Sequence, residues 1–140
     1  MKGRLLGARI AGWSLVVLGC GHLVTVALDG SRRVDAATSE AMAAMGRATV
    51  SLGGPSHSLA ELFLGYSLLM GLMVISLGMA VVVAAPRMAD PRPLLVAVAA
   101  SCLVGLALSV WLMPLPPIVG LSVALVGAVL GLTGRTSAVA

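Results

Sequence analysis

Two ionisable side chains stand in or at the mouth of long apolar runs, and these are the residues placed to do chemistry. His22 lies late in the uncharged stretch 10–28. Glu61 opens the stretch 58–86, where only the Tyr66 phenol interrupts the apolar sequence before Arg87. A polar group within a membrane span is costly and marks a binding or proton-handling site unless a neighbour satisfies it. His22 reads both ways: as a ligand, proton or metal contact, or as a neutral imidazole bonded to a neighbouring helix or loop carbonyl. Its helical phase is shared with Ala8, Gly12 and Gly19, a face turned to other helices. Glu61 has a plainer role. Ser58-Leu59-Ala60-Glu61 is a capping box, in which Ser58 caps a helix and Glu61 reaches back to its backbone N–H.

Whether His22 and Glu61 meet depends on where depth is counted from. Counted from the outer ends of their spans, the two differ by ~4.5 Å at 1.5 Å per residue; counted from the inner ends, by ~18 Å. A pocket of His22, Glu61 and Tyr66 in the outer leaflet is the expectation. A soft-metal site from His22, His57, Cys20 and the methionines lacks ligand spacing. No phosphate loop, nucleophile elbow or carboxylate pair is present, and no cofactor is indicated.

The elements that must hold these residues are set by hydrophobicity. Hydrophobic residues make up 59% of the 140 residues and charged ones 10%, which excludes an ordinary soluble domain. The net charge of +4 would point to nucleic acid in a soluble chain, but the cations flank apolar runs and aromatics are only 3%, so nucleic acid is excluded as a partner. Each apolar run reaches or approaches the ~20 residues that cross a bilayer core. The chain therefore reads as one domain, all-α: an integral membrane four-helix bundle, antiparallel and up-down. Its spans are expected at about 10–28, 58–85, 93–113 and 117–133.

Between the first two spans, residues 29–57 form the one long polar connection. Val34, Ala41, Met42, Met45, Thr49 and Leu52 share a helical face there, with Glu40 and Arg47 opposite. That predicts a short amphipathic helix in the first outer loop, broken by Gly53-Gly54-Pro55, either resting on headgroups or closing a cavity. Pro114-Leu115-Pro116-Pro117 reads as a turn.

Orientation follows the cations. Lys2, Arg4, Arg9, Arg87, Arg92 and Arg135 fall on one side, whereas Arg32, Arg33 and Arg47 on the other are balanced by Asp29, Asp35 and Glu40. The positive-inside rule then puts both termini in the cytoplasm. Trp13 and Trp111 suit the two aromatic belts. Val17-Leu18-Gly19-Cys20 approximates a lipoprotein cleavage site, but the bulky Leu18 and the spans that follow favour keeping the segment as a span. Cys20 and Cys102 have no redox or disulfide spacing.

Small residues should pack the spans, because lipid offers helices no hydrophobic reason to associate. The stripes are Gly12 and Gly19 in the first span, Ser67, Gly71 and Gly78 in the second, Ala97, Ser101, Gly105 and Ser109 in the third, and Gly120, Ala124, Gly127 and Gly131 in the fourth. The last is the best candidate for tight packing, within the bundle or against another subunit.

Two local patterns resemble a known family. Gly21-His22 closes the first span, and Ser58-Leu59-Ala60-Glu61-Leu62-Phe63-Leu64-Gly65-Tyr66 opens the second. Both are similar to motifs of an uncharacterised family of small bacterial four-span membrane proteins, DoxX-like in layout. Here Glu61 stands where that family has Asp, and Leu62 where it has an aromatic. The resemblance implies that His22, Glu61, Gly65 and Tyr66 form a common site in a bacterial inner membrane, and it brings no activity. The expected role is a small structural or binding component engaging a lipid-like molecule, a partner protein or a second copy near the outer leaflet. The alternatives are a redox-associated subunit with His22 on a quinone, and an oligomeric transporter.

Overall fold

A computed structural model describes residues 2–29, 34–51, 53–112 and 115–134. Five helices follow one another: α1 (Lys2–Asp29), α2 (Ala36–Arg47), α3 (Leu59–Ala84), α4 (Arg92–Leu112) and α5 (Leu115–Thr133). Strands β1 (Thr49–Val50) and β2 (His57–Ser58) lie between α2 and α3, and a 3₁₀ turn, Ala85–Arg87, ends α3. α1, α3, α4 and α5 are each long and apolar enough to cross a membrane. The chain is a multi-pass membrane protein with four packed spans.

α1 is the central helix, since α3 and α5 both pack along it while α4 packs along α5. Glycine makes this closeness achievable. A Cβ on Gly12 would fall 2.9 Å from the Gly78 carbonyl, and one on Gly19 would fall 2.8 Å from that of Gly71. On the seam with α5, a Cβ on Gly7 would strike the backbone of Gly131, and one on Gly127 would lie 2.7 Å from the Ala11 nitrogen. Gly120 meets Leu18 farther along the same seam. α4 packs differently: Leu95 reaches Gly131, and a Cβ on Gly105 would stand 3.3 Å from the Leu121 side chain, close but clear of backbone. Leu95, Val98 and Cys102 carry its buried face, while Ala97 and Ser101 point outward. With one close neighbour, α4 fills its seam mostly with larger side chains, and of the expected stripe only Gly105 and Ser109 lie on the packed side.

Several expected boundaries shift for identifiable reasons. α1 is already helical at Lys2, because hydrogen bonds rather than lipid decide where a helix begins. Its Arg4 is buried: Nε donates to the Gly134 carbonyl at 3.0 Å and Nη1 to Asp90 Oδ1 at 3.5 Å. That pair ties the start of α1 to the α3–α4 turn and to the end of α5. The turn expected through Pro117 is helix from Leu115, since prolines in a first turn sacrifice no backbone bond. The amphipathic helix is shorter than expected. Asp35 caps it by accepting the Thr38 N–H at 2.7 Å, which holds its carboxyl below the usual range. α2 stops at Arg47, so Thr49 is not on its face; instead Thr49 pairs with Ser58 and Val50 with His57. Gly53, at φ +80°, lies in the connection that reverses the chain. The expected roles of Arg32, Arg33, Leu52, Pro114 and Arg135 lie outside the described residues.

The seams predict unequal glycines. Gly7→Val should lower the apparent melting temperature in detergent and cost about 1–3 kcal/mol through overpacking. Gly21→Ala should be neutral or stabilising, because nothing lies within 4 Å of a Cβ there. Equal melting temperatures for the two variants would refute the packing scheme.

Candidate functional site

A cleft of about 1380 Å³ runs along α1 from Ile10 to Ala27. The first turns of α3 (Ala60, Phe63, Leu64, Ser67) and of α5 (Leu115 to Val123) form its walls, and Met42 and Met45 of α2 close over one end. Unequal helix lengths open its end toward α2, while toward Trp13 it continues alongside α5. The Leu18–Gly120 contact sets the register of α1 against α5, and α1 then projects roughly 9 Å beyond the start of α5. The space α5 vacates cannot be filled by the packed core.

His22 is the polar feature of this cleft. Its Nε2 lies 3.0 Å from both the carbonyl oxygen and the hydroxyl of Ser67 on α3. A carbonyl only accepts, so the neutral ring must carry its proton on Nε2, donating to the Ser67 oxygens. Nδ1 is left as a bare acceptor with no partner among the described residues. Thr25 Oγ1, one turn on, donates to the Gly21 carbonyl at 2.6 Å and likewise offers only lone pairs to the cleft. Among the described residues no Lys, Arg, Asp or Glu lines this space.

Glu61 is elsewhere. Its carboxylate accepts the Ser58 N–H at 2.8 Å, and its own N–H donates to Ser58 Oγ at 3.2 Å, which is the reciprocal capping box. Oε2 lies 3.7 Å from His57 Nδ1, and the side chain is exposed. The pairings Gly12–Gly78 and Gly19–Gly71 set His22 level with Leu68, so Glu61 sits about 10 Å nearer the α2 end. Gly65 and Tyr66 share with Glu61, His57, Leu62 and Leu69 a shallow groove of about 330 Å³ along α3. The structure thus gives His22 one concavity and Glu61, Gly65 and Tyr66 another.

Ser67, in sequence one of the small residues of the α3 stripe, is the partner of His22. The signal was present: once the glycines of α1 and α3 are aligned, Ser67 lies beside the level of His22. Trp13, Phe63, Met42 and Met45 line the cleft and had been read as belt, run or helix-face residues. Cys20 is exposed, Cys102 buried, and both are free. Among the described residues no set of three His, Cys, Asp or Glu side chains converges as metal ligands. Comparison with protein families, characterised proteins and solved structures finds no match to this chain.

The tautomer is directly measurable. ¹⁵N spectra of histidine-labelled protein at pH 8 should give His22 the signature of a protonated Nε2 and a bare Nδ1. In Ser67→Ala the carbonyl contact remains, so the tautomer should persist, with a stability loss of roughly 0.6 kcal/mol. The opposite tautomer would contradict the geometry.

Proposed function

We propose that this four-span protein is a bacterial inner-membrane component, with both termini cytoplasmic, that holds a lipid-like molecule in the cleft along α1. The observation that carries the proposal is the cleft itself: a large, almost wholly apolar space with one imidazole and, among the described residues, no charge, between helices that already stand in lipid. Binding sites for small molecules have this composition, with few polar groups to fix orientation in an apolar wall. His22 supplies the polar contact, Trp13 and Phe63 supply aromatic wall, and Met42 and Met45 form a cover. Glu61 serves as the cap of α3. Gly65 and Tyr66 present their groove to the bilayer or to a partner at the same depth.

Two features weigh on the other readings. With Nε2–H engaged by Ser67, the neutral His22 ring offers the cleft an acceptor, and an oxidised quinone carries only acceptors. Gly120, Gly127 and Gly131 are occupied by α1 and α4, so this stripe is not free to build an oligomeric pore.

The orientation rests on Arg4, Arg9, Arg87 and Arg92, which belong to the end where Arg4 meets Asp90, and on the positive-inside rule. In a chain lacking Cys20 and Cys102, an impermeant maleimide should label Ser56→Cys on intact cells and Ala89→Cys only after permeabilisation. The reverse pattern would overturn the orientation.

The binding reading is tested by mass spectrometry of organic extracts of the purified protein. A stoichiometric amphiphile should accompany the unsubstituted chain and Val104→Leu, which alters a lipid-facing position of α4. It should be lost from Gly21→Leu, whose side chain enters the cleft where nothing opposes it. Equal retention by Gly21→Leu would sink the proposal.

A further inference from the structure

The donors and acceptors around the cleft say more than its volume does. Of the polar atoms near His22, Nε2–H is spent on Ser67 and the Thr25 hydroxyl proton on the Gly21 carbonyl. What remains is the lone pair of His22 Nδ1 and that of Thr25 Oγ1, together with the Ser67 hydroxyl, which accepts from Nε2–H and keeps its own proton to donate. His22 and Thr25 lie three residues apart on one helix, hence on one side of it. A headgroup with only acceptors, such as an ether, ester or oxidised quinone, could take the Ser67 hydroxyl proton but would leave His22 Nδ1 without a donor. Among the described residues no charged side chain lines the space to serve as a counter-ion, and a charge without a partner at this depth is costly.

The apolar part of the site has a course. From His22 the same concavity continues past Gly21 and Val17 to Trp13. Gly21 keeps that passage open, because no atom lies within 4 Å of where its Cβ would stand. His22 and Trp13 are nine residues apart, roughly 14 Å along the axis, which an extended alkyl chain spans.

We infer that the cleft selects an uncharged, single-tailed amphiphile whose hydroxyl donates a hydrogen bond to His22 Nδ1 and whose chain runs past Gly21 to Trp13. This rests on the reading of the cleft as a lipid site and adds the headgroup chemistry to it. The class is that of long-chain alcohols and monoacylglycerols, as against fatty acids, phospholipids and quinones.

Tryptophan quenching tests it. The chain has two tryptophans, and Trp111 is exposed to lipid, so Trp111→Phe leaves Trp13 as the sole reporter. The protein is placed in nanodiscs of saturated phosphatidylcholine and titrated at pH 8 with stearyl alcohol dibrominated in mid-chain. Its methyl ether and the equally brominated stearate are titrated in parallel. The alcohol should quench Trp13 saturably, at a half-point about tenfold below that of the ether, the worth of one hydrogen bond. Stearate should show no saturable quenching. In His22→Phe the alcohol and the ether should become equal, and in Gly21→Leu saturable quenching should vanish for both.

The alcohol-to-ether ratio of the chain with His22 intact decides the headgroup question even if His22→Phe fails to fold. A ratio near one, with quenching still abolished by Gly21→Leu, would overturn the hydroxyl inference and leave the cleft reading standing. Preference for stearate, or an alcohol preference that survives His22→Phe, would overturn it too. Absence of saturable quenching by any of the three would sink both readings together.

Discussion

The whole molecule hangs on how closely two helix backbones approach α1. Lipid tails solvate leucine as well as another helix does, so these spans gain from association only where backbones come near enough for dense contact. Gly12 and Gly19 meet Gly78 and Gly71 on one seam; Gly7 and Ala11 meet Gly131 and Gly127 on the other. Each glycine removes the side chain that would hold the axes apart. Because both seams lie on α1, that helix sets the register of α3 and α5 at once, and α4 follows through Leu95 against Gly131.

The α2 end of the cleft is a consequence of that register. Once Leu18 is locked against Gly120, the short α5 must end before α1 does, and the longer α3 keeps pace with α1 to the far end. No rearrangement of side chains can close the gap without sliding a glycine seam, and sliding it would drive a Cβ-bearing residue into backbone. His22 stands at the level where the gap begins. Its bond to Ser67 removes the cost of an unpaired donor in lipid and fixes the ring, leaving one acceptor turned to the open space.

The Arg4 end closes in the opposite manner. A buried guanidinium joins three chain segments, the start of α1, the α3–α4 turn at Asp90 and the Gly134 carbonyl. The α2 end has a capped helix, a two-residue ribbon and two methionines over the cleft, so the polar structure on that side consists of short elements. One end is stitched and the other is covered.

Hydrophobicity alone determined the four spans and the all-helical class, because a bilayer leaves the backbone no other way to satisfy itself than within each segment. It also showed α2, the capping box of Ser58 and Glu61, and the oddity of a histidine among apolar residues, all of which are local patterns. What lay beyond it was relative depth. Whether His22 faces Glu61 or Ser67 turns on the axial offset between two helices, and that offset is fixed by glycines on α1 and α3 far from both residues. The same holds for the separation of the Tyr66 groove from the cleft. Which face a helix buries, and at what height, belongs to pairs of helices, and only the packed structure contains the pairs.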